Sequence, residues 1–473
     1  MKYEYGPPQP NSVGLDVGPR SSGAAKSGAT RVVIVGAGFA GLEVAKALET
    51  TAARITVLDR HNYTLFQPLL YQVATAALSP ADVAVPIRSL LRRANVDMLL
   101  EEAEGVEFES SCVRTRSGRR LQYDFLVLAT GSRFNYFGHE NWAALAPSPK
   151  SLADAIEIRR RLLLAFERAE MCEDGEERQA FMTFVVVGGG PTGVEMAGAI
   201  AELAKATLRR DFRRIDPAAA RIVLVEAGPR VLGNFADKLG KYAHKTLTRM
   251  GVQVLLDTKV DEIDETGIRA GGRRIEARTV VWGAGVKAGI VAKWLGVKPG
   301  PHGTVKVKED FSVPSHPNIF VIGDAAEATG SDGKPLPGLA AVAKQEGQYV
   351  GDLLRARVSG DERSRSFRYR DYGTMATIGR SAAVADLRGF QLTGTVAWLL
   401  WGLVHLAFLI GFRNRLAVLI NWFWAWLTYA HGARLITEPP IREARSRRSA
   451  KSQSAPPILP PNEMRGMSSN SSH

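Results

Sequence analysis

Cysteine is nearly missing from this chain: its 473 residues hold two, Cys112 and Cys172, and no C-x-x-C pair. That scarcity argues against a disulfide framework, a cysteine metal site and a paired-thiol redox centre. Both residues read as structural cysteines, and a reducing cytoplasm is the natural compartment. Histidine is sparse too, and His405 has no second histidine at ligand spacing, so no metal is assigned. The first thirty residues are rich in Gly, Pro, Ser and Ala and lack the apolar core of a secretory signal, which reads as a disordered leader. No nucleic-acid motif accompanies the net charge of +13. From Arg434 to the end, seven Lys or Arg stand against three Glu. Such a basic tail suits an anionic membrane surface.

The strongest pattern present is Arg31 to Asp59. A β-branched run, Val32 to Val35, reads as a buried parallel strand. Gly36, Gly38 and Gly41 then make a G-x-G-x-x-G turn into a helical pattern, and a second apolar run ends in Asp59. Gly36 permits the tight turn, Gly38 lets backbone approach a pyrophosphate, and Gly41 lets helix and strand pack closely. The helix N-terminus offers unpaired N–H groups to the phosphate, and Asp59 is placed to accept from a ribose hydroxyl. One such unit marks a dinucleotide site.

The unit returns about 150 residues later. Phe184 to Val187 reads as a strand, Gly188, Gly190 and Gly193 repeat the turn, and a helix is expected through Met196 to Leu208. The strand Arg221 to Val225 then ends in Glu226. A repeat at that spacing signals two dinucleotides. The carboxylate of Glu226 accepts from a free 2′-hydroxyl and repels a 2′-phosphate, favouring NADH; Arg230, four residues on, is the counter-argument for NADPH. Between the two units, Pro68, Pro80 and Pro86 break an apolar stretch into loops and short helices. Phe125 to Leu128 is a further strand running into Ala129-Thr130-Gly131. Ser151 to Glu170 reads as helix and Met171 to Arg178 as a charged loop. Val280 to Gly285 reads as a closing strand and turn, and Asn318 to Asp324 as another strand, ending in Gly323-Asp324. Gly338 to Arg355 is helical.

Near the C-terminus, Thr395 to Phe412 is almost unbroken apolar sequence, followed after Arg413-Asn414-Arg415 by a second apolar run. Five tryptophans fall between Trp398 and Trp426, as suits a membrane interface. Three arrangements are open: two helices lying in the headgroup region, a spanning hairpin, or a buried dimer helix. The arginines between the runs favour the first.

Taken together, these residues resemble the two-dinucleotide-binding-domain flavoproteins. Within them the chain is most similar to the type II NADH dehydrogenases, single-subunit NADH:quinone oxidoreductases that pump no protons. The resemblance rests on FQPLLYQVAT, GGGPTGVE, NIFVIGDAA, LPGLAAVAKQ and the apolar C-terminal segment, and spans roughly residues 31 to 430. It implies an α/β fold of two Rossmann-like domains, an FAD domain with an inserted NADH domain, plus a C-terminal helical membrane anchor. The implied bounds are a leader over 1–30, the FAD domain over 31–150 and 301–390, the NADH domain over 151–300, anchoring helices over 391–435 and a disordered basic tail over 436–473. FAD would meet Gly36, Gly38, Phe39, Ala40, Gly41, Asp59, Thr130, Gly131, Gly323 and Asp324. NADH would meet Gly188, Gly190, Gly193, Glu195, Glu226 and Gly285. Ala341, Lys344 and Gln345 would line a quinone pocket, with Glu195 and Gln345 as catalytic candidates. Glu195 also fits the plainer role of an acid in a helix first turn. Ala341 departs from the family, which often carries glutamine there. The implied partners are a membrane quinone, an anionic lipid surface and a second copy of the chain, at the cytoplasmic face of the cell membrane. Two other classes fit the same motifs: a reductase of a small redox protein or sulfur acceptor, and an FAD/NADH-binding redox sensor.

Overall fold

The computed structural model describes residues 28–331, 333–361, 366–428 and 432–437. Nearly all of the expected leader and of the expected tail lies outside the described residues. The elements that matter run in chain order as β1 (Arg31–Val35), α1 (Phe39–Leu48), β2 (Arg54–Asp59), α2 (Leu70–Ala74) and α3 (Pro80–Val83). After them come β3 (Val96–Leu100), β4 (Phe125–Leu128), α4 (Leu152–Met171), β5 (Thr183–Val187), α5 (Pro191–Glu202), β6 (Arg221–Val225), β7 (Val252–Leu255) and β8 (Thr279–Trp282). The last are β9 (Ser312–Val313), β10 (His316–Val321), α6 (Ala340–Val358), β11 (Thr374–Thr377), β12 (Ala383–Leu387), β13 (Phe390–Thr393), α7 (Gly394–Phe408) and α8 (Phe412–Thr428).

Two compact units result. The first takes in residues up to Thr64, Val85–Arg133 and Val286–Asp371. Its sheet runs β9-β10-β4-β1-β2-β3, parallel throughout except for the short antiparallel edge β9. The strands are continuous Val, Ile and Leu runs because a parallel sheet covered by helices buries both faces. Val33, Val35, Leu126, Leu128, Ile319 and Val321 form one buried cluster. On the sheet, α1 and α6 meet almost backbone to backbone. A Cβ on Gly347 would lie 2.3 Å from the carbonyl oxygen of Ala40, and one on Gly351 2.6 Å from the Ala47 Cβ.

The second unit takes in Leu65–Ala84, Phe134–Gly285 and the chain from Tyr372 on. Its four-stranded parallel sheet has the order β7-β6-β5-β8. A three-stranded antiparallel sheet, β11-β12-β13, leads into α7 and α8. The family resemblance implies an FAD domain over 301–390 and an NADH domain ending at 300. Here the first unit resumes at Val286 and ends at Asp371. The short strands of 374–393 carry weak alternation, and their place is set by α5: a Cβ on Gly198 would lie 3.0 Å from the amide nitrogen of Gly379.

Local chemistry also moves element ends. The charged stretch expected as loop over Met171 to Arg178 contains the start of a helix, Gly175–Phe181. The Asp174 carboxylate accepts from the amides of Glu176 and Glu177, and both acids sit at the positive end of the dipole. The helix expected through Leu208 starts at Pro191, ends at Glu202 and continues as a single π-turn, Leu203–Thr207.

Gly347→Ala puts a methyl group against the α1 backbone, where neither helix can yield cheaply. Overpacking of this kind costs about 1–3 kcal/mol, so the denaturant midpoint should fall, while Gly233→Ala, where a Cβ meets nothing within 4 Å and φ is not positive, costs less. An unchanged midpoint for Gly347→Ala would contradict the close packing.

Candidate dinucleotide sites and acceptor residues

The two glycine turns are built alike. Gly36 has φ +100° and a Cβ there would lie 2.3 Å from the Ala129 carbonyl oxygen; Gly188 has φ +103° and its Cβ would lie 2.7 Å from the Ala284 amide nitrogen. Cβ atoms on Gly41 and Gly193 would strike the carbonyl oxygens of Gly36 and Gly188 at 1.9 and 1.7 Å. The middle glycines differ: a Cβ on Gly38 or Gly190 would meet nothing within 4 Å. The first and third glycines are therefore required by the protein's own packing, while the second leaves open space at a helix start, as a bound pyrophosphate needs. Neither Gly38 nor Gly190 supplies a side-chain cap, so the first-turn N–H groups of α1 and α5 are available to an anion.

The acids after the second strands also match. Asp59 accepts from the amide of Ala37 at 2.7 Å and of His61 at 2.8 Å. Glu226 accepts from the amide of Gly189 at 2.5 Å and of Gly228 at 2.6 Å. Each carboxylate thus fixes the residue between the first two glycines and keeps further lone pairs for a ribose. Arg230 is turned into its own loop, donating to the Gly233 carbonyl at 2.6 Å and facing Asp237 at 3.6 Å. Gly285 has φ +66° in the turn after β8, and its Cβ would strike the Phe137 ring at 2.6 Å.

In the first unit, Thr130 and Gly131 form the turn after β4, with Gly131 at φ +66°. The hydroxyl oxygen of Thr130 is buried with no partner, an unmet polar group where the expected cofactor would lie. Asp324 accepts from the Ser132 hydroxyl at 2.5 Å, and the Gly323 amide donates to Glu346 at 2.5 Å. Open turn, unmet hydroxyl and acid-lined strand ends fit an FAD. Phe39 and Ala40 open α1 in the same unit.

Nothing in the sequence marks Glu346, which stands beside the more conspicuous Gln345. It is 2% exposed, and burial, opposed by the Gly323 amide and reinforced by Asp324, pushes its carboxyl up to about 8. Gln345 does not present a free amide: its two ends clamp the Arg370 backbone, donating to the carbonyl at 2.9 Å and accepting from the amide at 2.8 Å. Lys344 faces Glu43 at 4.0 Å, and Ala341 lies in the first turn of α6.

In the second unit, α5 turns Glu195 and Glu202, seven residues apart, toward β11. Glu195 accepts from the Thr377 amide at 3.4 Å and Glu202 from the Arg380 amide at 2.6 Å. Burial pushes Glu195 up to about 8 and Glu202 up to about 7. A carboxyl held protonated near neutral pH is a proton donor as well as a helix acid.

The last helix presents a broad apolar face, while Asn414, Val418 and Trp422 turn to the protein. Asn414, 6% exposed, donates to the Ala81 carbonyl, Asn421 to Asp82, and Trp422 to Gln72. The opposite face carries Phe412, Leu416, Leu419, Ile420, Phe423 and Leu427 into solvent, Phe412 at 81% exposure. Arg415 donates to the carbonyls of Leu409 and Ala407, closing the end of α7. With 15 and 17 residues, α7 and α8 are about 22 and 26 Å long, short of the roughly 30 Å of a bilayer core. Among the described residues no helix is long and apolar enough to cross a membrane. His405 is held as a neutral ring: its Nδ1 lies 2.7 Å from the Trp401 carbonyl, and burial pushes it down to about 4. No cluster of three metal-ligating side chains occurs among the described residues. Cys112 and Cys172 are both free, one in each unit.

The Glu346 shift carries a pH signature. The carboxyl titrates near 4.5 when unfolded and about 8 when folded, so its charge costs nothing below 4.5, costs more as pH rises, and costs most above 8. Glu346→Gln keeps an acceptor for Gly323 and removes that cost. The stability of the variant relative to the parent should therefore increase from pH 4.5 to 8 in parallel unfolding curves; a pH-independent difference would contradict the shift.

Comparison with known proteins agrees with this architecture. The pyridine nucleotide-disulphide oxidoreductase family profile matches residues 30–347, and the NDH2 C-terminal domain profile matches 372–429. Two Mycobacterium tuberculosis proteins, the type II NADH:quinone oxidoreductases Ndh and NdhA, are each 41% identical, over 423 and 435 residues. These alignments cover 86% and 88% of this chain and 90% and 92% of the relatives. The structure of NDH2 from Plasmodium falciparum in complex with NADH superposes with a TM-score of 0.78 at 21% identity, covering 86% of this chain and all of that one, which is a likeness of fold. The chain belongs to the pyridine nucleotide-disulphide oxidoreductase family, in its type II NADH:quinone oxidoreductase branch.

Proposed function

We propose that this chain is an FAD-dependent NADH:quinone oxidoreductase that reduces a membrane quinone by two electrons without moving protons across the membrane. The observation that carries this reading is the pair of matched glycine turns with their carboxylates, joined in one chain to a helix with an exposed apolar face. FAD, when bound at the first turn, supplies the carrier that takes a hydride from NADH and yields electrons to the quinone. The chain's own residues bind and orient. Gly36 to Gly41, Asp59, Thr130, Gly131 and Asp324 would hold FAD, and Gly188 to Gly193, Glu226 and Gly285 would hold NADH. Glu226 accepts from a free ribose hydroxyl and Arg230 is engaged in its own loop, which supports NADH over NADPH. Glu195, protonated at neutral pH, supplies a proton donor in the second unit. Gln345 holds the Arg370 segment in place, and its assigned part is shaping the acceptor side.

The exposed apolar faces of α7 and α8 lie in the headgroup region, and the same surface can pair two copies of the chain. Basic residues flanking them favour the cytoplasmic leaflet. An exposed apolar patch of this extent on a folded domain marks an interaction surface.

Vesicles loaded with a long-chain quinone test this reading. The FAD-loaded protein should oxidise NADH with them, and Phe412→Glu with Phe423→Glu should lose that activity and vesicle binding while keeping turnover with a water-soluble quinone. Equal loss with both quinones, or no NADH oxidation by the parent, would refute it. Glu195→Gln should slow quinone reduction several-fold; wild-type rates would remove Glu195 from the chemistry.

A further inference from the structure

The segment that α8 covers contains a row of hydrogen bonds with a fixed direction. Trp422, on the inner face of α8, donates its indole N–H to the Gln72 Oε1 at 2.7 Å. Indole nitrogen is a donor only, so this contact decides which end of the Gln72 amide faces it. The amide nitrogen therefore faces Tyr71, 2.8 Å from its hydroxyl oxygen. An amide nitrogen also only donates. The Tyr71 oxygen must accept, and its own proton must point elsewhere. Among the described residues no hydrogen bond takes that proton.

The surroundings sharpen the point. Tyr71 and Gln72 are each 7% exposed, so water is not a plentiful alternative acceptor. Burial, joined by Glu195 once that carboxyl ionises above neutral pH, holds the Tyr71 hydroxyl well above its ordinary value, so it remains a proton-bearing group. Beyond Gln72 stand aromatic rings: Trp401 lies 5.4 Å from Trp422 and 4.2 Å from His405, whose ring meets Phe66 edge-on at 6.2 Å. Trp401 Nε1 is itself a buried donor with no partner. Two donors, the Tyr71 hydroxyl and the Trp401 indole N–H, thus have no acceptor among the described residues.

We propose that Tyr71 is the hydroxyl that hydrogen-bonds a carbonyl oxygen of the quinone, and that Trp422, through Gln72, is the positioning residue that keeps it a donor. A quinone is a planar apolar ring whose carbonyl oxygens accept and do not donate, the complement of a buried hydroxyl with an unspent proton next to aromatic rings. A donor aimed at the carbonyl also stabilises the negative charge that grows on that oxygen during reduction. This rests on the quinone reading above. It adds a coupling to the membrane: Trp422 sits on the helix whose outer face meets lipid, so the seating of α8 sets the direction of the Tyr71 proton.

Calorimetric titration of the oxidised, FAD-loaded protein with a short-chain quinone, without NADH, tests it apart from turnover. Tyr71→Phe should weaken quinone binding about five- to tenfold, as loss of one hydrogen bond does. Trp422→Phe keeps the ring but frees the Gln72 amide to turn and accept from Tyr71; it should weaken binding severalfold. In the double variant Trp422→Phe should add nothing to Tyr71→Phe. NADH affinity should be unchanged in all three. Parent-like quinone binding in Tyr71→Phe, or additive losses in the double variant, overturns the proposal while leaving the enzyme reading intact. A parent that reduces no quinone and binds none overturns both.

Discussion

The bond from a strand-end carboxylate to the amide in the middle of the glycine turn is the constraint on which the rest depends. Asp59 makes it to Ala37 and Glu226 to Gly189. Each turn opens on a glycine, at φ +100° and +103°, and glycine loses more chain entropy on ordering than any other residue. A charge-assisted bond to that turn holds it in one geometry. With the turn fixed, the helix start behind it, the open space at the second glycine and the ribose acceptor come into register together. The second carboxylate bond, two residues beyond each acid, orients the carboxylate itself.

The two units use this device once each, and what differs is what has been added. The first unit adds Thr130, Asp324 and Glu346 around the turn. The second adds buried acids on α5 and a C-terminal sheet and helix pair. On α8, Asn414, Val418 and Trp422 face protein while Phe412, Leu416, Phe423 and Trp424 face out, an apolar surface larger than a water-soluble helix presents. Asn414 and Asn421 pin that arrangement, so the exposed face is a built surface.

Much of this was legible in the sequence because each signal was local. Strand–glycine–helix–strand–acid reads along the chain, and both repeats form where expected. So does the C-terminal helical segment, with Gly411 and Arg415 explaining its break. What the sequence concealed was set by tertiary contacts. The short strands of 374–393 have little pattern of their own and depend on α5. Glu346 looks like any helix glutamate until its burial is seen. Gln345 carries the family signal, yet its amide is spent on the Arg370 backbone. Tyr71 and Gln72 lie in a stretch broken by prolines, and only Trp422, 350 residues away in sequence, gives their bond a direction.

The most direct measurement is an anaerobic absorbance titration of the full-length protein carrying FAD. Addition of NADH should bleach the flavin band at a ratio of about one per chain, and a short-chain quinone should then restore it quickly. Persistent colour after NADH would contradict the account of two coupled dinucleotide sites. Bleaching that quinone cannot reverse would contradict the assignment of its acceptor.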